Sequence, residues 1–292
     1  MENLLESMKN KYHTLSKGQK RIADFLINHY DEAVYLTAAK LGETTGVSES
    51  TVVRFAIELG YDGYPKLQQS LEELVKSRLT ASQRIKVSTN RILKNDKHIL
   101  KAVLESDAER IHSARNDVDE KVFDLVIEKI INANKIYIVG GRSSAPLTQF
   151  FCTYLNMMVE NVVGVTSTAA TEIYESIFRI SSDDIFIGIS FPRYSQKTIR
   201  AMEYAKDRGA TTIAITDSMQ SPLTKNAALS LTARSDMLSF VDSLVAPLSL
   251  INAILVAVST KKQDELIDTL DSLERLWNEY KVYMNESENK YI

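Results

Sequence analysis

The second half of the chain alternates short apolar runs, rich in β-branched residues, with stretches whose apolar residues recur at helical spacing. The runs are KIYIV at 135–139, VVGV at 162–165, IFIGIS at 185–190, TTIAIT at 211–216 and ALSLT at 228–232. Runs of this kind indicate strands that are covered on both faces, as in a parallel sheet. Right-handed helical crossovers between such strands place helices on both sides of the sheet. The pattern therefore predicts a doubly wound three-layer α/β/α sandwich with about five parallel strands.

Helical stretches fill the intervals between these runs. We predict them at 98–115 and 120–131 before the first strand, and then at 147–159, 170–178, 197–208, near Leu223 and after Asp242. The most apolar stretch, 245–258, is interrupted by Pro247, Ser249 and Asn252 and is shorter than the roughly 20 residues of a membrane span. We therefore predict that it is a buried helix.

The first zone, from Leu4 to about Leu79, has apolar residues at helical spacing and contains no run typical of a strand. Within it, the stretch 38–59 has the features of a helix-turn-helix, with Gly42 where the two helices would touch and Gly46 for the positive φ of the turn. The residues predicted to pack between the two helices are Leu41, Val47, Val52 and Phe55. Ser48 is the predicted N-cap of the second helix, and Gly60 ends that helix. A plain helical hairpin in a core is the alternative.

A recognition helix of this kind lays its first turns in the major groove of DNA. The candidates for DNA contact on this helix are Ser48, Glu49, Ser50, Thr51 and Arg54. Hydroxyl groups can reach bases or phosphates and Arg54 suits guanine or phosphate, whereas Glu49 is repelled by phosphates unless it accepts from a cytosine amine. Three further cations, Lys17, Lys20 and Arg21, lie ahead of an amphipathic helix. They either grip the DNA backbone or form a solvated charged turn.

Charge is distributed unevenly along the chain. The formal net charge is −3, which excludes a polycation built to coat nucleic acid. At the junction of the two zones, 76–101, eight basic residues face a single acid, Asp96. The basic residues are Lys76, Arg78, Arg84, Lys86, Arg91, Lys94, Lys97 and Lys101. This run indicates either a solvated linker or a segment that lies beside nucleic acid.

Two loops rich in small and hydroxyl-bearing residues follow predicted strands and begin helices. GGRSSAP at 140–146 follows the first strand, and SFPRYSQKT at 190–198 follows the third. Small residues let a ligand approach the backbone, and a helix N-terminus presents unpaired N–H groups with positive dipole charge. Ligands of open α/β sheets bind at the carboxyl edge near a switch in strand order, so we predict that both loops converge on an anion. Thr166, Ser167 and Thr168 add hydroxyls after the second strand. An ordinary turn is the alternative for each loop taken alone.

The residues of both halves resemble a known pair of domains. LSKGQKRIADFLI and VSESTVVRFAIELGYDGYPKL resemble the amino-terminal helix-turn-helix domain of the RpiR family of bacterial transcription regulators. VGGRSS, ISFPRYSQKT and RGATTIAITDSMQSPLTKNAALSL resemble the sugar isomerase (SIS) domain, a phosphosugar-binding fold. The resemblance implies an all-α helix-turn-helix domain followed by an α/β domain of the SIS fold.

The same resemblance implies which hydroxyls bind phosphate, namely those of Ser143, Ser144, Ser190 and Ser195. With the residues of the loops, the ligand-binding candidates are Gly141, Arg142, Ser143, Ser144, Thr168, Ser190, Arg193 and Ser195. The chain departs from the common family pattern, because Arg142 stands at the second glycine of Gly-x-Gly-x-Ser and Pro192-Arg193 replaces Ser-Gly. Each arginine either holds a phosphate through two hydrogen bonds or pairs with a surface acid.

The sequence favours a regulator over an enzyme. Sugar isomerisation needs a base and often an acid, usually Glu and His placed in the pocket. All four histidines precede the sandwich: His13, His29, His98 and His112. Glu172 and Glu175 are more simply partners of a helix dipole, and Cys152 lies at the helical spacing of a buried residue. We therefore predict no catalytic residue, no metal site and no cofactor.

These observations lead to one functional hypothesis and one alternative. The hypothesis is a DNA-binding transcription regulator of carbohydrate metabolism genes, whose affinity for a double-stranded operator is controlled by a sugar phosphate or related anionic metabolite. We expect a cytoplasmic homodimer or homotetramer without a membrane partner. The alternative is a stand-alone phosphosugar-binding protein or a sugar-phosphate isomerase.

Four segments are predicted along the chain. They are a helix-turn-helix domain at 1–79, a basic linker with a connecting helix at 80–119, a SIS domain at 120–262, and a carboxy-terminal helix and tail at 263–292. In the last of these, Leu266, Leu270, Leu273 and Trp277 recur at helical spacing. This spacing predicts an amphipathic helix packed on the sandwich or on a second subunit.

Overall fold

The computed structural model describes residues 4–34, 36–78, 98–235 and 241–283. The chain divides into two compact units, one built mainly of residues 1–97 and the other mainly of residues 98–292. Each unit has its own hydrophobic core. Most of the basic run predicted at the junction, from Arg84 to Lys97, lies outside the described residues.

The described residues of the first unit form helices and turns. The helices are α1 (Leu4–Lys11), α2 (Lys17–Asn28), α3 (Tyr30–Ala33), α4 (Ala38–Thr45), α5 (Glu49–Glu58) and α6 (Tyr64–Arg78). Their apolar faces meet in one core, in which Ile22, Leu26, Leu41 and Phe55 are fully buried. Burying each such side chain contributes about 1.5–3 kcal/mol. The all-helical first zone is therefore confirmed, and α4 and α5 are the predicted helix pair.

One parallel sheet forms the centre of the second unit. Its strands, within the part of the chain that the structure describes, are β1 (Ile136–Val139), β2 (Val162–Val165), β3 (Ile185–Ile189), β4 (Thr211–Thr216) and β5 (Leu229–Thr232). They lie in the order β2-β1-β3-β4-β5. In register, Ile136 of β1 pairs with Val162 on one side and with Ile185 on the other. Each strand lies where an apolar run predicted it, and the order reverses at β1.

Helices cover both faces of this sheet. The helices of this unit, within the described residues, are α7 (Ile99–Asp117), α8 (Glu120–Asn132), α9 (Ala145–Leu155), α10 (Ala170–Ile177), α11 (Gln196–Asp207), α12 (Val245–Lys261) and α13 (Gln263–Glu279), of which α13 contributes no residue to the sheet cores. Side chains alternate along a strand, so Ile136 and Ile138 pack with α8, α9 and α12 while Tyr137 and Val139 pack with α10 and α11. The predicted three-layer sandwich is therefore confirmed. The helix predicted near Leu223 is a single 3-10 turn, Thr224–Asn226, because the connection from β4 to β5 is short.

The last two helices differ in their burial. α12 is the predicted buried helix, and Ala246, Leu250, Ile254 and Val258 lie in the core. α13 is amphipathic as predicted, but none of its residues is buried. No single helix among the described residues combines the length and apolarity of a membrane span. Only α12 and α13 taken together reach both, across a bend of 98°.

Gly42 provides a test of the packing between α4 and α5. Replacing glycine by alanine inside a helix normally stabilises it by about 1 kcal/mol. At this position, however, an added Cβ would lie 2.8 Å from the Val47 carbonyl oxygen and 3.3 Å from the Glu49 nitrogen. We therefore expect Gly42→Ala to lower the urea midpoint of the full chain, against helix propensity. Thr44→Ala, at an exposed position of the same helix, is the control. A Gly42→Ala protein as stable as the wild type contradicts this packing.

Candidate functional sites

The turn between α4 and α5 is fixed by glycine and by one arginine. Gly46 ends α4 with a φ of 65°, as the sequence predicts, and the Val47 nitrogen donates to the Gly42 carbonyl at 2.8 Å. The guanidinium of Arg21, on α2, donates to the Gly46 carbonyl at 2.8 Å. Arg21 therefore holds the turn in place. Sequence reasoning offered it only as a contact to DNA or as part of a solvated turn.

The first residues of α5 are polar and largely exposed. Ser48, Glu49, Ser50 and Arg54 are exposed and Thr51 is half-buried. Ser48 occupies the N-cap position, but its side chain makes no capping hydrogen bond. Its hydroxyl instead contacts the hydroxyls of Ser50 at 2.9 Å and Thr51 at 2.8 Å. The predicted side-chain cap is therefore wrong, because neighbouring hydroxyls engage the group, and the first N–H groups of α5 have no side-chain acceptor in this structure.

The other two cations of α2 have different surroundings. The ammonium of Lys20 lies 5.4 Å from the centre of the Tyr12 ring, within the range of a cation–π contact. Lys17 is exposed and precedes Gly18, where an added Cβ would lie 3.3 Å from the Val47 side chain and 3.6 Å from the Thr51 methyl group. This close approach brings the start of α2 against the start of α5. Lys17, an exposed cation, therefore precedes the residue at which the two helices approach each other.

The loop after β1 approaches the loop after β2 closely. An added Cβ on Gly141 would lie 3.3 Å from the Ser167 carbonyl oxygen and 3.5 Å from the Thr168 methyl group. Arg142–Ser144 form a 3-10 turn that leads directly into α9. Ser143 is exposed and Ser144 is buried at the start of that helix. The two serines predicted to bind phosphate therefore lie at a helix N-terminus, where anions are favoured.

The loop after β3 is held by its own two serines. The hydroxyl of Ser190, which is buried, accepts from the Ser195 nitrogen at 3.1 Å. The hydroxyl of Ser195 accepts from the Thr198 nitrogen at 3.2 Å and so caps α11. A hydroxyl that accepts a hydrogen bond still has its own proton to donate. These residues therefore have a structural role that the sequence did not predict, and the chemistry to bind an anion as well.

The three loops converge at the carboxyl edge of the sheet. β1 lies between β2 and β3, so the loops that follow these strands are neighbours. The Lys197 ammonium, at the start of α11, donates to the Thr168 carbonyl and so connects the third loop to the second. Sequence reasoning missed Lys197, although a lysine in the first turn of a helix that follows a hydroxyl-rich loop was a usable signal. The arrangement places hydroxyls, helix N-termini and cations together, which is the chemistry of an anion site.

Arg142 and Arg193 share an unusual backbone conformation. Their φ angles are 55° and 69°, both in the left-handed region that glycine adopts readily. A side chain in this region costs about 1–2 kcal/mol. Both side chains are exposed. At these two positions, where the family pattern has glycine, the chain therefore carries a guanidinium on a backbone conformation that glycine favours.

Two domain families match this chain. Residues 2–78 match the helix-turn-helix domain of the rpiR family, and residues 129–257 match the SIS domain. Together the two matches span more than two thirds of the chain. The chain belongs to the RpiR family. The predicted combination of a DNA-binding helix-turn-helix domain and a SIS domain is thereby confirmed, and with it the class of transcription regulator.

Relatives and solved structures agree with this RpiR-family assignment. An HTH-type transcriptional regulator of Haemophilus influenzae is 26% identical over 230 residues, 77% of each chain. HexR, an HTH-type transcriptional regulator of Pseudomonas aeruginosa, is 24% identical over 238 residues, 79% of each chain. The structure of Vibrio vulnificus NanR complexed with ManNAc-6P is similar at a TM-score of 0.60 and 19% identity, covering 97% of this chain and 100% of that one. The sugar isomerase domain of a Sphaerobacter thermophilus RpiR transcription factor has a TM-score of 0.59 at 24% identity, covering 61% and 99%. These structures confirm the fold.

A cleft of about 430 Å³ opens elsewhere on the SIS domain of this RpiR-family chain. Asn134 and Asn161, which precede β1 and β2, line it together with Lys262 and Glu265. It therefore lies at the amino edge of the sheet, opposite the three loops. The ammonium of Lys262 and the carboxylate of Glu265 are paired at 2.8 Å. None of the ligand-binding residues predicted from the sequence lines this cleft.

Cys152 is a buried residue of α9, as the sequence predicts. Its sulfur is so close to β2 that a Cβ added to Gly164 would lie 2.7 Å from it. Burial raises the pKa of the Cys152 thiol to about 11. The thiolate is the reactive form of cysteine, so this thiol is not a nucleophile near neutral pH.

The raised pKa gives a labelling prediction for Cys152. At about pH 8.5, where an ordinary thiol is half ionised, we expect the native protein to resist iodoacetamide and the urea-unfolded protein to react. The pKa of the Cys152 thiol is higher in the native state than in the unfolded state. The stabilisation from burying this side chain is therefore complete below about pH 8.5. It is lost as the pH rises toward 11, because the unfolded thiol ionises first. Mass spectrometry measures the labelled fraction. Rapid labelling of the native protein contradicts the burial of this side chain.

Proposed function

We propose that this regulator binds a sugar phosphate at the carboxyl edge of its SIS sheet and that binding changes its affinity for an operator. The observation that carries this proposal is the convergence of three hydroxyl-bearing loops beside β1, where Gly141 contacts the loop after β2 and Lys197 reaches Thr168. Open α/β sheets bind ligands at such a switch in strand order. The solved NanR structure, which is complexed with ManNAc-6P, supports the choice of a phosphorylated sugar.

The proposed phosphate position lies between the starts of α9 and α11. Ser143 and Ser144 would donate from one loop, and Ser190 and Ser195 from the other. The N-terminal end of α9 would add positive dipole charge beside the phosphate. Arg142 and Arg193 would bind the phosphate or a second acidic group through paired hydrogen bonds. Gly141 would let the ligand approach the backbone, and Thr168, on the loop after β2, would contact the ligand from its remaining side.

The proposed DNA surface is the start of α5 with the start of α2. Ser48, Ser50 and Thr51 would contact bases or phosphates, and Arg54 would contact a guanine or a phosphate. Helix-turn-helix modules read two half-sites about one helical turn apart, so the functional unit is at least a homodimer. A ligand changes the affinity for the operator only if it binds more tightly to one arrangement of the two helix-turn-helix modules than to another. Operators and sugar phosphates are both cytoplasmic, and we propose that the regulator acts there.

An isomerase remains the second candidate function because the SIS fold also occurs in enzymes. Against it, no histidine lies beyond His112 in the sequence, and Glu172 and Glu175 are exposed on α10. Proton transfer between sugar carbons needs a base held against the substrate. Incubation with glucose 6-phosphate in deuterated water, followed by NMR, measures this activity directly. Exchange of the proton at the second sugar carbon would favour the enzyme.

Arg54 tests the DNA surface. We expect Arg54→Ala to weaken binding to a duplex selected by the wild type from a randomised library, by about 1–3 kcal/mol, because a guanidinium contact to a base is lost. Lys66→Ala, an exposed cation of α6, is the matched control and should bind normally. Fluorescence anisotropy at fixed salt measures both affinities. Equal binding by wild type and Arg54→Ala would show that α5 does not read DNA through this residue.

Ser195 tests the ligand site. Aspartate is a good N-cap, so Ser195→Asp should keep α11 capped while it places a negative charge beside the proposed phosphate. We expect a panel of glucose 6-phosphate, fructose 6-phosphate and N-acetylmannosamine 6-phosphate to contain a member that raises the melting temperature of the wild type. The same compound should not raise that of Ser195→Asp. Ser272→Asp, on the exposed surface of α13, adds the same charge elsewhere and should respond normally. An unchanged response in Ser195→Asp would place the ligand elsewhere.

A further inference from the structure

A buried ion pair lies on α7, the helix that follows the linker in the chain. Arg110 is 5% exposed, and its Nη1 donates to Asp107 Oδ1 at 2.8 Å. Its Nε is buried and has no hydrogen-bonding partner, the one such side-chain atom found among the described residues. Buried donors are almost always paired in native proteins, and an unpaired one is costly. This cluster therefore calls for an explanation beyond the packing of α7.

Asp107 connects α7 to the segment between β5 and α12. The hydroxyl of Ser243 donates to Asp107 Oδ1 at 2.7 Å, the same oxygen that Arg110 contacts. The carbonyl of Ser243 accepts from the Ser235 hydroxyl at 3.1 Å, and its hydroxyl accepts from the Val245 nitrogen at 3.4 Å at the start of α12. One carboxylate oxygen thus joins residues that are 136 positions apart in the chain.

The same segment is connected to the loop after β3. The Thr216 hydroxyl, at the end of β4, donates to the Ser190 carbonyl at 2.7 Å. The Thr216 carbonyl in turn accepts from the Ala233 nitrogen at 2.8 Å. Ala233 and Ser235 belong to the segment that contacts Ser243. A series of hydrogen bonds, joined by short stretches of backbone such as 233–235, therefore leads from the candidate ligand loop to α7. Ser190, Thr216 and Ser235 are all buried.

The unpaired Nε of Arg110 suggests a second arrangement of this cluster. In the arrangement seen, Asp107 Oδ1 receives both the Ser243 hydroxyl and Arg110 Nη1. An arrangement in which Asp107 accepts from Nε would require the carboxylate or Arg110 to rotate, at the expense of one of these contacts. Two arrangements close in free energy are what a ligand needs in order to shift a population.

We propose that Asp107, Arg110 and Ser243 are positioning residues that couple ligand binding at the Ser190 loop to α7. The inference rests on the proposed function, because it assumes a ligand at that loop and an operator bound by the helix-turn-helix of α4 and α5. A ligand that hydrogen-bonds to Ser190 would change the contact between Thr216 and that loop. The hydrogen bonds of Ala233, Ser235 and Ser243 would pass this change to Asp107. α7 begins at Ile99, and we propose that its displacement is the signal that reaches the helix-turn-helix domain.

The test compares how strongly the sugar phosphate changes the affinity for DNA in the wild type and in variants of the cluster. Ser243→Ala removes the contact to Asp107, and Asp107→Asn keeps an acceptor oxygen but removes the charge. In full-length protein we would measure the dissociation constant for the selected duplex, with and without the sugar phosphate of the panel that most stabilises the wild type. The larger of these two constants divided by the smaller measures the coupling between the sugar-phosphate site and the DNA surface. We expect this ratio to fall at least about fivefold in both variants. The affinity for DNA alone and that for the sugar phosphate alone should change little.

A serine on α12 provides the matched control. The hydroxyl of Ser259 donates to the Val256 carbonyl of its own helix at 2.8 Å, so Ser259→Ala removes a comparable hydrogen bond outside the cluster and should keep the wild-type ratio. Loss of the ratio there too would indicate general loosening of the domain and would overturn the inference. Wild-type ratios in both Ser243→Ala and Asp107→Asn would also overturn it, while leaving the proposed function intact.

Hydrogen exchange gives a second readout that does not depend on DNA. On addition of the same sugar phosphate, the amides of α7 should change their protection in the wild type and not in Ser243→Ala. An equal change in both proteins contradicts the inference. A wild type that shows neither a ligand-dependent ratio nor a melting shift with any compound of the panel would instead reject the proposed function, so the two failures are distinguishable.

Discussion

The pairing of β1 with β2 on one side and β3 on the other is the constraint on which the candidate ligand site depends. Parallel strands need crossovers, and a reversal of strand order sends the following helices to opposite faces of the sheet. α9 packs with one core and α11 with the other. The loops that start these helices therefore diverge beside β1, which is where open α/β sheets bind their ligands. The serine- and arginine-bearing loops after β1 and β3 are neighbours because of this topology, although they are far apart in the chain.

Several residues of the candidate site shape the loops and also have the chemistry that ligand binding requires. Ser190 and Ser195 fix the loop after β3 by accepting backbone N–H groups, and each retains a proton to donate. Arg142 and Arg193 adopt backbone conformations suited to glycine, at a cost in stability that the surrounding fold must offset. Such a cost is typical of functional sites. It fits a site in which guanidinium charge matters more than the local stability of a turn.

The helix-turn-helix follows the same logic on a smaller scale. Gly42 allows α4 to contact the turn, Gly46 supplies its positive φ, and Arg21 closes it from α2. With the turn fixed from inside, the side chains of Ser48, Glu49, Ser50 and Arg54 at the start of α5 are left exposed. The residues that fix the helix-turn-helix are thus different from the residues of α5 that we propose to contact DNA. Control by a ligand then requires that a change at the SIS sheet reaches the helix-turn-helix domain, and α7 with its buried ion pair is the element that we propose for this role.

The sequence by itself determined the secondary structure and much of the fold. Apolar runs located all five described strands to within one residue at each end, and helical spacing with two glycines located the α4–α5 pair, because these features follow from local periodicity and backbone preference. It did not determine the contact of Arg21 with Gly46, the contacts of the Ser48 hydroxyl, the reach of Lys197 to Thr168, or the link between Ser243 and Asp107. Nor did it show that two arginines adopt a left-handed backbone. These were decided only by the tertiary structure, because most of them join residues that packing alone brings together, and a side chain chooses among nearby partners only after its neighbours are in place.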